Sequence, residues 1–186
     1  MQYSTLDLST RSVLFVDDEP RITHSLRLAL RKEPYSILTA NSASEALETL
    51  QANDVAAVVS DERMPGMSGS ELLAEIHQRH PQTVSMILSG QSSIEAAIRA
   101  INEGQIFRFF RKPIDHDELK IGIRSALQQH LLLHELEALR AEKMKHDELL
   151  DQLETRHPGI TSVAVDEDGA FVLDAEALSG LSLGEN

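Results

Sequence analysis

The chain has 186 residues, room for one domain of about 100–150 residues plus an appendage but not for two complete domains. Apolar residues make up 41% and aromatics 4%, with no Trp, so the core must be aliphatic. The lack of Cys excludes disulfides, thiol catalysis and thiolate metal sites, and the net charge of −13 weighs against anionic partners.

Ser12–Val16 is the first predicted strand, followed by a helix over Pro20–Arg31 with Pro20 in its tolerated first turn. Tyr35–Ala40 is the second strand. Ser42 and Glu45 then stand at capping-box spacing ahead of Ala46, Leu47 and Leu50. Val55–Ser60, apolar at nearly every position, suits a strand covered on both faces. Ser68 and Ser70 open a helix through Leu72, Leu73 and Ile76, which Pro81 stops after His80. Thr83–Leu88 is the fourth strand, Ser92 or Ser93 opens a helix over Ile94–Asn102 that Gly104 closes, and Ile106–Phe110 is the fifth strand. Strand and helix in strict alternation argue for an α/β fold, a five-stranded parallel sheet with helices on both faces.

From Ile114 to His157 there is no Pro and the one Gly is Gly122, so Asp115–Arg156 reads as a single helix of about 42 residues, roughly 60 Å long. Leu132, Leu136, Leu139, Lys143, His146, Leu150 and Leu153 follow a heptad register, a coiled-coil seam interrupted at Lys143 and His146. A parallel homodimer is one outcome; a helix that folds back or packs on another partner is the other. His130 and His134, four apart, are read as a solvated face rather than a metal pair. His157-Pro158-Gly159 stops the helix. Thr161–Val165 and Ala170–Leu173 then flank Asp166-Glu167-Asp168-Gly169 as a hairpin with a loop of four residues or fewer, and Ser179–Asn186 is expected to fray. The expected organisation is a domain over residues 11–125, a helical extension over 126–157 and an acidic tail over 158–186.

In open parallel sheets the working residues sit at the carboxyl ends of the strands. Asp17-Asp18-Glu19, Asp61, Ser89-Gly90 and Lys112-Pro113 all fall there. Alone, the first cluster is equally well a helix-start group of acids. In register with Asp61 and Lys112 it concentrates three carboxylates that only a cation makes tolerable. Oxygen ligands with no Cys and no nearby His favour a hard ion such as Mg²⁺. With a Lys and a Ser hydroxyl beside one exposed carboxylate, the site is shaped for phosphoryl transfer.

Val13-Leu14-Phe15-Val16-Asp17-Asp18-Glu19, Asp61-Glu62-Arg63-Met64-Pro65-Gly66-Met67-Ser68-Gly69, Ser89-Gly90 and Lys112-Pro113 together resemble the receiver domain of two-component response regulators, over residues 11–125. The resemblance implies a flavodoxin-like fold in which Asp61 accepts a phosphoryl group from a histidine kinase or phosphotransfer protein. It implies Mg²⁺ on Asp18, Asp61 and the Arg63 carbonyl, with Asp17 acting through water. Lys112 and Ser89 would bind the phosphoryl group, and Ser89 and Phe109 would form the switch. Arg63 and Gln91 match positions flanking the line of water attack and are expected to set the lifetime of the acyl phosphate.

The expected protein is a cytoplasmic response regulator, not an enzyme, whose output is contact with a downstream protein through the long helix. No run approaches the roughly 18 apolar residues of a membrane span. Residues 115–186 carry 6 basic and 16 acidic residues, net −10, which disfavours nucleic acid and anionic membrane as partners. One alternative keeps the receiver as part of a multidomain regulator with a catalytic or sensory output. Another is a Mg²⁺-dependent aspartyl phosphohydrolase, whose usual acid spacing Val16-Asp17-Asp18-Glu19 lacks.

Overall fold

The structure, a computed structural model, describes residues 8–90, 106–156, 164–165 and 171–172. Strands β1 (Ser12–Val16), β2 (Ser36–Ala40), β3 (Ala57–Asp61), β4 (Val84–Ser89) and β5 (Arg108–Arg111) form one sheet in the order β2-β1-β3-β4-β5. Every pairing is parallel, so this is the expected flavodoxin-like arrangement. The predicted strands are each found, the first with its ends unchanged and the others with ends moved by at most two residues. Asp61 and Ser89 are the last residues of their strands rather than the first residues beyond them.

The helices are α1 (Pro20–Ala29), α2 (Ala43–Ala52), α3 (Gly69–Arg79) and α4 (His116–Arg156). Helix α1 starts on Pro20 as expected and ends two residues early. Ser42 caps α2, its hydroxyl accepting from the Glu45 N–H, and Ser68 and Glu71 close a reciprocal capping box on α3. The Asp115 carboxylate accepts from the Asp117 and Glu118 N–H groups and so starts α4. The helix predicted over Ile94–Asn102 and the residue Gln91 lie outside the described residues.

Alternation along each strand divides the core into two layers. On one face Val13, Phe15, Val59, Met86 and Phe110 pack with Leu26 of α1 and Leu30 just after it, and with Leu119, Ile123 and Leu127 of α4. On the other, Leu14, Val16, Val58 and Ile87 pack with Ala46 and Leu50 of α2 and Leu72, Leu73 and Ile76 of α3. Phe109 lies on this second face, opposite Phe110, as strand alternation requires. Gly122 is buried where α4 crosses β5, and a methyl group there would run into the Phe110 ring. The close crossing explains why the one glycine in the long helix stands at this position.

Helix α4 is continuous for 41 residues, close to the length read from the sequence. From Glu135 to Arg156 all residues but Glu154 are exposed, including Leu136, Leu139, Leu150 and Leu153 of the seam. In the tail, β6 (Ala164–Val165) and β7 (Phe171–Val172) pair antiparallel. Their register joins Val165 to Phe171, which leaves five residues between the strands and corrects the expected loop of four or fewer. Among the described residues no helix is long and apolar enough to cross a membrane.

Candidate functional site

The sheet reverses its order between β1 and β3, the point at which open sheets of this kind bind ligands beyond the carboxyl ends of their strands. Asp17 follows the last residue of β1 and Asp61 is the last of β3. Backbone bonds hold these ends in place. The Asp17 N–H donates to the Ala40 carbonyl at 3.2 Å, Glu62 N–H to Leu88 at 3.0 Å, and Lys112 N–H to Ser89 at 2.9 Å. The side chains of the rim are thus fixed by strand pairing.

Asp17, Asp18 and Asp61 each offer a carboxylate oxygen within 4.8 Å of the others. Asp17 and Asp61 are buried and Asp18 is exposed, so the group opens to solvent on one side. The Lys112 ammonium bridges the two buried members, 2.9 Å from Asp61 Oδ1 and 3.2 Å from Asp17 Oδ2. A carboxylate donor set with one solvent-facing member fits a hard divalent cation that keeps some of its water.

Burial raises the pKa of Asp17 above its ordinary value. The Glu19 N–H and Lys112 oppose the shift without cancelling it, and Asp61 adds to it. The Lys112 ammonium is lowered by its own burial, but the hydrogen bond and attraction from Asp61, followed by Asp17, outweigh this and its pKa ends raised. The lysine therefore stays charged and holds together carboxylates that would otherwise repel.

Ser89 is fully buried, and its hydroxyl donates to the Gly90 carbonyl at 3.1 Å. Phe109 is half-buried on the next strand, where Ile87 of β4 is its partner. Arg63 is exposed in the loop after Asp61. The structure therefore brings Asp17, Asp18, Asp61 and Lys112 into one cluster, with Ser89 on the same rim.

The contacts that two residues of this rim make were not anticipated. Glu62 is an acid only 8% exposed, and its carboxylate accepts from the Ser70 N–H at 3.1 Å and the Ser70 hydroxyl at 2.7 Å. Its carbonyl accepts from the Gly69 N–H at 3.0 Å. Glu62 thereby clasps the first turn of α3 to the end of β3, where a carboxylate is also favoured by the helix dipole. The available signal was an acid directly after an apolar strand, with Gly-Ser opening the next helix.

Gly69 is the second. A β-carbon there would overlap the carbonyl oxygen of Asp61, backbone against backbone, so neither side can rotate away. Gly69→Ala is expected to push the start of α3 off β3 and to cost about 1–3 kcal/mol. The urea midpoint should fall; an unchanged midpoint would show that the approach is looser than described.

The sequence profile of the response regulator receiver domain matches residues 13–124. The transcriptional regulatory protein GlrR of Escherichia coli K12 is 41% identical over 117 residues, which are 63% of this chain and 26% of GlrR. The C4-dicarboxylate transport transcriptional regulatory protein DctD of Pseudomonas aeruginosa is 29% identical over 177 residues, 95% of this chain and 38% of DctD. Among solved structures, the signal receiver domain of an HD domain-containing protein from Pseudomonas fluorescens Pf-5 superposes with a TM-score of 0.65. It is 34% identical and is aligned over 73% of this chain and 98% of that one. The chain spans between about a quarter and two fifths of the length of the curated relatives it matches.

Proposed function

The chain belongs to the response regulator receiver domain family, whose members act in two-component phosphorelays, and from that premise we propose that Asp61 is its phosphoacceptor. The observation that carries this reading is the Lys112 ammonium shared between Asp17 and Asp61, with Asp18 alongside. A carboxylate oxygen of Asp61 forms a bond to phosphorus while the bond from phosphorus to the donor histidine nitrogen breaks, its electron pair returning to the imidazole. The donor is a histidine kinase or a phosphotransfer protein.

Asp18, Asp61 and the Arg63 carbonyl would hold Mg²⁺, with Asp17 acting through water. When bound, the ion screens the negative charge that gathers as the phosphoryl oxygens approach. Lys112 binds one of those oxygens and Ser89 donates to another. Ser89 and Phe109 then move together and alter the surface beside β5. On this reading Arg63 and Gln91 set the lifetime of the acyl phosphate. The output is contact with a downstream protein in the cytoplasm, with the receiver over residues 11–125 and the extension over 126–157 supplying a helical homodimer.

Receivers are signalling modules, and on this reading the chain is phosphorylated once rather than turning substrate over. Incubation with acetyl phosphate tests it. One phosphoryl group per chain, stable in acid, labile in base and gained only with Mg²⁺, is the expected result. Repeated turnover of a small phosphate ester would instead favour an aspartyl phosphohydrolase. A second reading supplies the output through a linked module, and the DctD alignment favours it because it runs well past residue 125.

A further inference from the structure

The exposed part of α4 carries two leucine pairs separated by a polar pair. Leu136 and Leu139 are 44% and 58% exposed, Leu150 and Leu153 are 38% and 37% exposed, and Lys143 and His146 lie between them on the same seam. A seam of this composition makes opposite demands in the two orientations of a helix pair. In a parallel, in-register dimer each residue meets its own copy, so two Lys143 ammonium groups would share one core layer. The flanking positions would then set Glu142 against Asp147 of the second copy, offsetting the favourable pairing of Glu135 with Arg140.

Antiparallel pairing about a two-fold axis between Lys143 and His146 removes both conflicts. Leu136 meets Leu153, Leu139 meets Leu150, and Lys143 meets His146, so that both polar layers fall at the centre and leucine faces only leucine. The flanks then place Arg140 beside Asp147 and Glu135 beside Arg156, each pair occurring twice. Sliding the partner by one heptad either way sets both Lys143 and His146 against leucines. The interruption of the seam thus fixes register and direction, as polar core positions do in helix pairs.

We propose that the occupant of this face is the same helix of a second copy of the chain, running antiparallel over residues 136–153. The proposal rests on the helical dimer of the preceding reading and adds its direction. Its test is the dimer dissociation constant of the full chain by sedimentation equilibrium, with Asp147→Arg as the variant. Antiparallel pairing sets the introduced guanidinium against Arg140 twice, so the dimer should weaken by about tenfold. Exchanging the charges, Arg140→Asp with Asp147→Arg, should return it to near the wild-type value.

In a parallel dimer the same single substitution sets the introduced guanidinium against Glu142, and the dimer would tighten. Tightening would overturn the orientation while leaving the dimer intact. Weakening that the charge exchange does not reverse would overturn the pairing. A wild-type chain that stays monomeric at high concentration would overturn both the proposal and the dimer on which it rests.

Discussion

Replacing Asp61 with Asn is expected to abolish stoichiometric phosphorylation by acetyl phosphate while leaving the fold intact. The amide fills the same space, but its carbonyl oxygen is no longer an anionic nucleophile and it supplies one fewer charge for a cation. Lys112 retains Asp17 at 3.2 Å, so the substitution strands no charge. It also removes one of three carboxylates that crowd within 4.8 Å, and the urea midpoint in the absence of divalent cation should hold or rise. Phosphate incorporation by the variant equal to wild type would show that the acceptor lies elsewhere.

The largest loss of stability is expected from Lys112→Met. The side chain of Asp17 is 2% exposed and that of Asp61 11%, and both depend on the same ammonium. Removing it leaves the two buried carboxylates without a counter-charge, with the Glu19 N–H still donating to Asp17. Because the lysine itself is 30% exposed and partly screened, a loss of about 1–3 kcal/mol is expected rather than the full cost of a broken buried pair.

Two further readouts separate this account from a mere packing defect. Ammonium and divalent cation draw on the same oxygens, so Mg²⁺ should raise the urea midpoint of the variant more than that of the wild type. Burial already holds the pKa of Asp17 above its ordinary value, so the folded chain takes up that proton more readily than the unfolded one. The penalty is therefore present above the folded pKa and relieved as pH falls, and the deficit of the variant should shrink on acidification. A Mg²⁺ increment no larger than in wild type would mean that lysine and cation do not share ligands.

Asp17, Asp18, Asp61 and Lys112 were legible as one site because strand periodicity places all of them at carboxyl ends, and a parallel sheet gathers those ends on one rim. The 41 residues of α4 were legible for a simpler reason, the want of Pro and of any Gly other than Gly122. The contacts of Glu62 and Gly69 were not. Their roles depend on the loop after Asp61 returning to the strand it left, so that Ser70 reaches the Glu62 carboxylate and Gly69 the Asp61 carbonyl. No periodicity encodes a contact of that kind. The position of Asp61 as the last residue of β3 was missed by one residue for a related reason, since pairing with Leu88 carries the strand through an acid that propensity would end it on.

The most direct measurement is the chemical identity of the phosphorylated residue. After incubation with acetyl phosphate and Mg²⁺, borohydride reduces an aspartyl phosphate to homoserine, and tandem mass spectrometry of the digested chain locates it. Homoserine at position 61 and at no other position is the predicted result. Phosphate retained on a histidine or a hydroxyl residue, or homoserine formed at position 17 or 18 with Asp61 unchanged, would contradict it.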